Sequence, residues 1–460
     1  MSKYNFKYIV IGSGPAGSTV ALSLAKAKKN VALVEGRFYG GANLNTRDIP
    51  YGVALDFAHH FSRLSSYPEL KNQDISFNLP TIPARILSTV IKSGGNEKKP
   101  FEEAGVVCLS GYAHIIDRHT VAINQKQFTA ETIIIATGSH LKTSNISGVD
   151  SVNYLTPENA IRITKKPKVV AVIGAGSAGC EIAEYYAELG IEVILIETAS
   201  RILPHEDTEV SEALSEYFIR KLGVNILTES NVVALQQDDF SKCIIFQNNN
   251  SEKMVRVDCI VLATGSEPSL SFGLENANVK YQESGIIVNK FFQTSTKNIY
   301  AIGDCIGRDS STDRAIQDGT TLANNLIGGN KSTVNYKGLI RVINTQPEIA
   351  IIGNTESELI QLKRKYKKSI TPLSEITASK IHSFNHGFVK LLIDRNYHII
   401  GASIVAPNAS LMAEEISLAM RHNLTILEIA STPHIANSYN EAIKLTAKKL
   451  LAKKIAKLKN

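Results

Sequence analysis

Short apolar runs alternate along the chain with stretches of helical spacing, and their order predicts strand–helix–strand units. Lys7-Tyr8-Ile9-Val10-Ile11 is the first run, continuous in the way of a strand buried on both faces. Residues 18–28 then carry Val20, Ala21, Leu24 and Ala25 at helical spacing, and Val31-Ala32-Leu33-Val34 forms a second run that ends at Glu35. The order returns at Val169–Ile173, with a helix running through Glu188 and a run Val193-Ile194-Leu195-Ile196 ending at Glu197. Ile133-Ile134-Ile135-Ala136-Thr137-Gly138 and Ile260-Val261-Leu262-Ala263-Thr264-Gly265 are two more buried-strand runs, each closing on Ala-Thr-Gly. Asn298-Ile299-Tyr300-Ala301-Ile302 leads into Gly303-Asp304. From about residue 336 strand-like runs, including Phe388-Val389-Lys390-Leu391-Leu392-Ile393, precede helical stretches, which reads as a separate α+β domain.

The two turns between strand and helix are Gly12-Ser13-Gly14-Pro15-Ala16-Gly17 and Gly174-Ala175-Gly176-Ser177-Ala178-Gly179. Each is a G-x-G-x-x-G fingerprint, and each has its acid, Glu35 or Glu197, 18 positions after the third glycine. One such motif is weak evidence for a dinucleotide site; two in matching context are strong. The first glycine permits the tight turn, the second lets backbone approach a pyrophosphate, and the third lets helix and strand pack closely. The helix start offers free N–H groups to phosphate, and the acid accepts hydrogen bonds from a ribose diol. Both acids repel a 2′-phosphate. After Glu197 come Thr198, Ala199 and Ser200, which favours NADH over NADPH, with Arg201 the first cation that could meet a phosphate.

Composition narrows the class further. A chain of 460 residues suggests about three domains. Apolar residues at 43% and charged residues at 20% fit a globular protein and exclude a mainly disordered or collagen-like chain. The apolar runs are too short to span a bilayer, and the first strand follows Met1 with no room for a signal peptide, so the expected compartment is the cytosol. The five cysteines, at 108, 180, 243, 259 and 305, form no close pair, and inert thiols are expected. The neighbours His59 and His60 read as a helix feature, with no further ligand cluster and no metal expected. Of the net charge of +7, six come from Lys448, Lys449, Lys453, Lys454, Lys457 and Lys459, leaving the rest near neutral and arguing against nucleic acid as partner. Over residues 448–460, Leu451, Ile455 and Leu458 recur at helical spacing among those lysines. That is either a solvated terminal helix or a weak contact with an anionic membrane surface.

With these motifs in order, the chain resembles the FAD-dependent pyridine nucleotide–disulfide oxidoreductases, dihydrolipoamide dehydrogenase being the nearest pattern. The resemblance covers essentially the full length. It implies an α/β fold of two doubly wound dinucleotide-binding domains, for FAD and NAD, plus a C-terminal α+β dimerisation domain opened by Thr345-Gln346-Pro347-Glu348. The implied divisions are 1–150 and 271–335 for FAD, 151–270 for NAD, and 336–460 for dimerisation with the basic tail. FAD contacts then fall on Gly12, Gly14, Pro15, Ala16, Gly17, Glu35, Gly36, Gly41, Ala42, Thr137, Gly138, Gly303 and Asp304. NAD contacts fall on Gly174, Gly176, Ser177, Ala178, Gly179, Glu181, Glu197, Ala263, Thr264 and Gly265. A homodimer is implied as well.

The departures from the family pattern decide the expected activity. Where the family has a run like G-G-T-C-L-N-V-G-C-I-P-S-K, this chain reads Gly40-Gly41-Ala42-Asn43-Leu44-Asn45-Thr46-Arg47-Asp48-Ile49-Pro50-Tyr51-Gly52. Asn43 and Asp48 stand at the cysteine positions and Gly52 at the lysine, whose usual acidic partner persists as Glu181. Where the family has H-x-H-P-T-x-S-E, this chain has His434-Ile435-Ala436-Asn437-Ser438-Tyr439-Asn440-Glu441, with Ala436 at the catalytic histidine and Glu441 retained. Neither Asn43 nor Asp48 forms a disulfide or thiolate, and alanine transfers no proton. Asn43, Asp48 and Tyr51 are expected on the flavin face opposite the nicotinamide, although Asp48 also reads as a surface carboxylate paired with Arg47. The expectation is a reductase that takes electrons from NADH through FAD directly to a small acceptor such as a quinone. A flavin-mediated NADH/NADP transhydrogenase and a catalytically silent flavoprotein used for partner binding stand as alternatives.

Overall fold

The computed structural model describes residues 3–70, 75–142, 146–238, 241–249, 251–307, 311–329 and 331–458, with side chains followed to residue 452 at the C-terminal end. The chain divides into two compact units. The first comprises Met1–Ala54, Pro80–Thr143 and Gly265–Tyr336. Its parallel strands run Val107–Ser110, Val31–Glu35, Phe6–Ile11, Lys126–Ile135 and Ile299–Ala301 across the sheet. The first run of the sequence is therefore the central strand, Ile9 facing Ala32 on one side and Ile133 on the other. Continuous apolar sequence suits it because Ile9 and Val10, on opposite faces, are both fully buried. The helix Pro15–Lys26 buries Val20, Ala21 and Leu24, the residues picked out by helical spacing, and packs against the helix Thr312–Gly328. Before the fourth parallel strand the chain turns aside into an antiparallel meander, Ala113–Ile115 and Thr120–Ile123 with the start of Lys126–Ile135.

The second unit comprises Leu55–Leu79, Ser144–Thr264 and Lys337–Asn460. Its parallel sheet runs Asn225–Leu227, Glu192–Ile196, Val169–Ile173 and Cys259–Leu262, with the helix Ser177–Glu188 against it. Here too a meander, Ser230–Gln237, Lys242–Asn248 and Ser251–Val257, precedes the last parallel strand. The repeat thus extends beyond the fingerprint to the excursion that follows it. The same unit holds an antiparallel five-stranded sheet, Ile340–Ile343, Glu348–Gly353, Ile399–Ala406, Phe388–Ile393 and Lys367–Pro372, backed by the helices Ala409–Arg421 and Glu441–Leu458. Residues 55–79, expected with the first nucleotide-binding segment, group with this unit. The helix Asp48–Ser65 continues past Ala54, and His59 on it lies 3.4 Å from Glu184.

Charge joins the nucleotide-binding part of the second unit to its five-stranded sheet. Lys390, on Phe388–Ile393, is fully buried, and its ammonium lies 3.1 Å from Asp207, 2.8 Å from Glu209 and 2.6 Å from Glu356. Arg341 adds a two-pronged pair to Glu206 at 2.9 and 3.0 Å. Burial alone would raise the Glu356 carboxyl, but hydrogen bonds from Lys368, Lys390 and Tyr366 outweigh it and hold the group at about 2.

The C-terminal helix buries Ala442, Ile443, Ala447 and Leu450 in the core of that sheet, and Leu451 packs against the same core. Lys449 pairs with Glu375 at 2.6 Å. Leu451 is therefore spent on the fold and is not free to join a membrane-facing stripe. The remaining side chains of that stripe, from Lys453 onward, lie outside the described ones. Among the described residues no helix is long and apolar enough to cross a membrane.

Removing the buried cation leaves Asp207, Glu209 and Glu356 uncompensated. Lys390→Met is expected to cost about 3–5 kcal/mol at neutral pH, read as a fall in the urea unfolding midpoint. Wild-type stability should also decline as pH falls from the ordinary carboxylate value of 4.5 toward 2, because Glu356 binds a proton in the unfolded chain before it does in the folded one. The variant should show a shallower decline.

Candidate nucleotide-binding and redox site

The two fingerprints are built alike, bond for bond. Gly12 N–H donates to Val34 and Gly174 N–H to Ile196, both at 2.8 Å. Gly12 has φ of 102° and Gly174 of 101°, a region open to glycine and strained for other residues. A Cβ on Gly12 would meet the Ala136 carbonyl at 2.2 Å, and one on Gly174 the Ala263 carbonyl at 2.4 Å. A Cβ on Gly17 or Gly179 would lie 1.9 Å from the carbonyl of the first glycine in its own motif. The Ala-Thr-Gly endings are explained by this packing, since the alanine carbonyl presses on the first glycine of each turn.

The acids close each turn in the same way. Glu35 accepts from Ser13 N–H at 3.0 Å, Ser13 Oγ at 2.6 Å and Arg37 N–H at 2.7 Å. Glu197, buried, accepts from Ala175 N–H at 2.7 Å, Ala199 N–H at 2.8 Å and Thr198 Oγ1 at 3.0 Å. Arg201 is turned away from any role beside this acid: its guanidinium donates to the carbonyls of Pro204 and Glu206, each at 3.0 Å.

Each site passes a test of fit for a dinucleotide at its second glycine. A Cβ on Gly14 or Gly176 meets nothing within 4 Å, so the space over both turns is open where a pyrophosphate would lie. Neither helix start carries a side-chain cap or an acid in its first turn, which leaves its N–H groups directed at that space. Ser177 is exposed and Ala178 half-buried, and both are small, so neither walls off the second site. Gly41 approaches the first turn closely, a Cβ there falling 2.5 Å from Gly14 Cα, and the ring of exposed Tyr112 lies over Gly36.

Gly303, with φ of 74°, opens a short turn after Ile299–Ala301, and its N–H donates at 3.1 Å to Asp318, a buried carboxylate that also accepts from the Tyr336 hydroxyl. Asp304 accepts from Ser139 Oγ at 3.1 Å, just beyond Thr137 and Gly138. Sequence reasoning missed Ser13, Tyr112, Ser139 and Asp318. Only Ser13, inside the fingerprint, was within reach of a local motif.

Asn43, Asp48 and Thr312 form a hydrogen-bonded triangle. Asn43 Nδ2 donates to Asp48 at 2.6 Å and to Thr312 Oγ1 at 3.0 Å, and Thr312 Oγ1 donates to Asp48 at 2.5 Å. The alternative pairing of Asp48 with Arg47 gives way to this arrangement, since Asp48 starts one helix and Thr312 another and the two helix starts meet. Tyr51 is buried. No cysteine enters the triangle. All five thiols are free, and burial pushes up Cys108 and Cys259, Cys180 strongly, and Cys305 to about 12.

In the C-terminal motif, His434 lies 3.1 Å from Glu415 and 3.0 Å from the Thr432 carbonyl, so its partner is not Glu441, which heads the last helix. Glu181 accepts from Asn344 N–H at 2.8 Å and from its side-chain amide at 3.0 Å. The histidine pair, read from sequence as a helix feature with no further ligand cluster apparent, lies on the helix Asp48–Ser65, and its two members part. His60 lies 2.7 Å from the Asp56 carbonyl, whereas His59 turns inward to Glu184 and Glu188 on the helix Ser177–Glu188.

A sequence profile described as pyridine nucleotide-disulphide oxidoreductase matches residues 6–319, and the profile of the dimerisation domain of the same name matches 340–447. A mercuric reductase from Bacillus cereus is 28% identical over 449 residues, covering 96% of this chain and 71% of its own length. A dihydrolipoyl dehydrogenase from Corynebacterium glutamicum is 29% identical over 460 residues, covering 96% and 97%. The solved structure of LpdA from Mycobacterium tuberculosis matches with a TM-score of 0.86 at 24% identity, over 96% of this chain and 99% of that one. The HOCl-induced flavoprotein disulfide reductase RclA from Escherichia coli matches with a TM-score of 0.84 at 21% identity, over 96% and 99%. At these identities the structures show likeness of fold. Members of the family use FAD and NAD(P)H.

The open second glycine gives a direct test of the first site. Gly14→Ala places its Cβ in free space at an ordinary φ, so the fold should survive while FAD affinity drops by roughly tenfold or more, read by flavin content and fluorescence titration. Gly17→Ala should instead lose the fold.

Proposed function

The chain belongs to the pyridine nucleotide-disulphide oxidoreductase family, and we propose that it is an FAD-dependent NADH oxidoreductase whose electrons pass directly to a non-disulfide acceptor such as a quinone. The observation that carries this reading is the Asn43–Asp48–Thr312 triangle at the segment where the family pattern has its cysteine pair. An amide, a carboxylate and a hydroxyl hold together there by hydrogen bonds what a disulfide would hold by a covalent bond. They exchange no electrons. Ala436, at the position of the family's catalytic histidine, removes the proton carrier that thiol chemistry needs.

FAD, when bound, supplies the hydride acceptance and release. The chain's part is to hold and select. The two open helix starts bind the pyrophosphates, with Glu35 and Glu197 placed for the ribose diols. Asp304 stands beside Ser139 as the second FAD contact. Glu197 is buried among backbone donors and Arg201 is engaged elsewhere, which favours NADH over NADPH and weighs against the transhydrogenase. The activities in the relatives' names, on dihydrolipoyl groups and on mercuric ion, are not carried over, because Asn43 and Asp48 supply no thiolate. In the segment matched as the dimerisation domain, Leu411, Leu418 and Ile435 are exposed, which suits pairing of two copies.

Steady-state assays with NADH test the reading. Menadione and dichlorophenolindophenol should be reduced with multiple turnovers, lipoamide, glutathione disulfide and Hg(II) should not, and iodoacetamide should leave the rate unchanged. Turnover of lipoamide or Hg(II) that is abolished by alkylation would overturn it.

A further inference from the structure

We propose that His59, Glu184 and Glu188 form a binding site for a divalent cation of the zinc type, separate from both nucleotide sites and independent of the electron acceptor. One donor atom from each of His59, Glu184 and Glu188 lies within 4.8 Å of the other two. His59 is 3.4 Å from Glu184 and 3.6 Å from Glu188. A tetrahedral zinc ion with bonds of about 2.0–2.2 Å needs donor atoms about 3.3–3.6 Å apart, so the histidine is already at coordination spacing from both acids. The acids sit at i and i+4 on Ser177–Glu188 and so project from one face of the helix.

A second observation points to a missing ligand. Glu188 Oε2 is buried and accepts no hydrogen bond, although the Glu188 side chain is only 2% exposed and directed at His59. A buried carboxylate oxygen with no donor is costly, and a cation coordinated there removes the cost. Charge balance agrees: two carboxylates neutralise one divalent ion, whereas His59 alone cannot neutralise both.

The surroundings are arranged as metal sites usually are. Gln346 N–H donates to Glu184 Oε1 at 2.7 Å, which fixes that carboxylate with Oε2 turned to His59 Nε2, 3.4 Å away. The Gln346 side-chain amide reaches His59 Nδ1 at 3.4 Å, orienting the ring so that Nε2 faces the acids. Burial holds the His59 imidazole below its usual range, toward the neutral form that binds metals. Three protein donors and a fourth position for water give the ligand set His-Glu-Glu.

The test uses the purified FAD-containing protein, stripped with EDTA, desalted and titrated with Zn2+ under calorimetry, with metal content by plasma mass spectrometry. The wild type should take up one zinc per chain and melt at a higher temperature with zinc present. Glu188→Gln, which keeps the size of the side chain and the FAD site, should bind zinc at least about tenfold more weakly and lose the thermal shift. Should that variant fail to fold, His59→Gln, on the partly exposed member of the set, serves in its place. A wild type without stoichiometric zinc, or variants that bind it equally, would overturn the proposal. Metal content and melting are read without any acceptor, so failure here is distinct from failure of the proposed activity.

Discussion

The nucleotide-binding architecture depends on one steric constraint, met twice. The helix after each first strand must come so close to the turn that a Cβ on Gly17 or Gly179 would fall 1.9 Å from a backbone carbonyl. From the other side, the carbonyl of Ala136 or Ala263 presses on the first glycine. This contact fixes the helix start at the carboxyl ends of the parallel strands, where its free N–H groups face open space. The acid on the neighbouring strand is held by the turn's own amide, Ser13 N–H on Glu35 and Ala175 N–H on Glu197. Once the glycines meet the strand ends, the rest of each site follows.

On that scaffold, the segment after the first βαβ is tied together by polar side chains. Gly41 nests against Gly14, and the helix Asp48–Ser65 begins at the carboxylate of the triangle. The bridge between residues 43 and 48 is made by hydrogen bonds, with Thr312 as third member. Glu181 shows the same substitution of partner, taking the amides of Asn344.

Much of this was legible in the sequence. Val169–Ile173 matches its apolar run residue for residue, because a strand buried on both faces leaves an unbroken hydrophobic signal, and Phe388–Ile393 matches its run although Lys390 interrupts it. The fingerprints were legible because a turn under steric constraint admits only glycine. What escaped was set by distant parts of the chain. Thr312 lies 264 positions from Asp48, and no local pattern links them. The inward turn of His59 depends on two glutamates on another helix, and His434 meets Glu415 through the fold of the last domain rather than through its own motif. The meanders escaped for another reason: Ala113–Ile115 is only three residues long, and Ser251–Val257 is exposed over most of its length, so neither shows a clear alternation.

The central claim is that electrons leave this protein without passing through a thiol pair. An anaerobic titration of the purified flavoprotein with NADH, followed by absorbance, tests it most directly. Full bleaching of the flavin band with one NADH per FAD, and no long-wavelength thiolate charge-transfer band, is the predicted result. Uptake of two NADH per FAD with such a band would show a second redox centre and contradict the account.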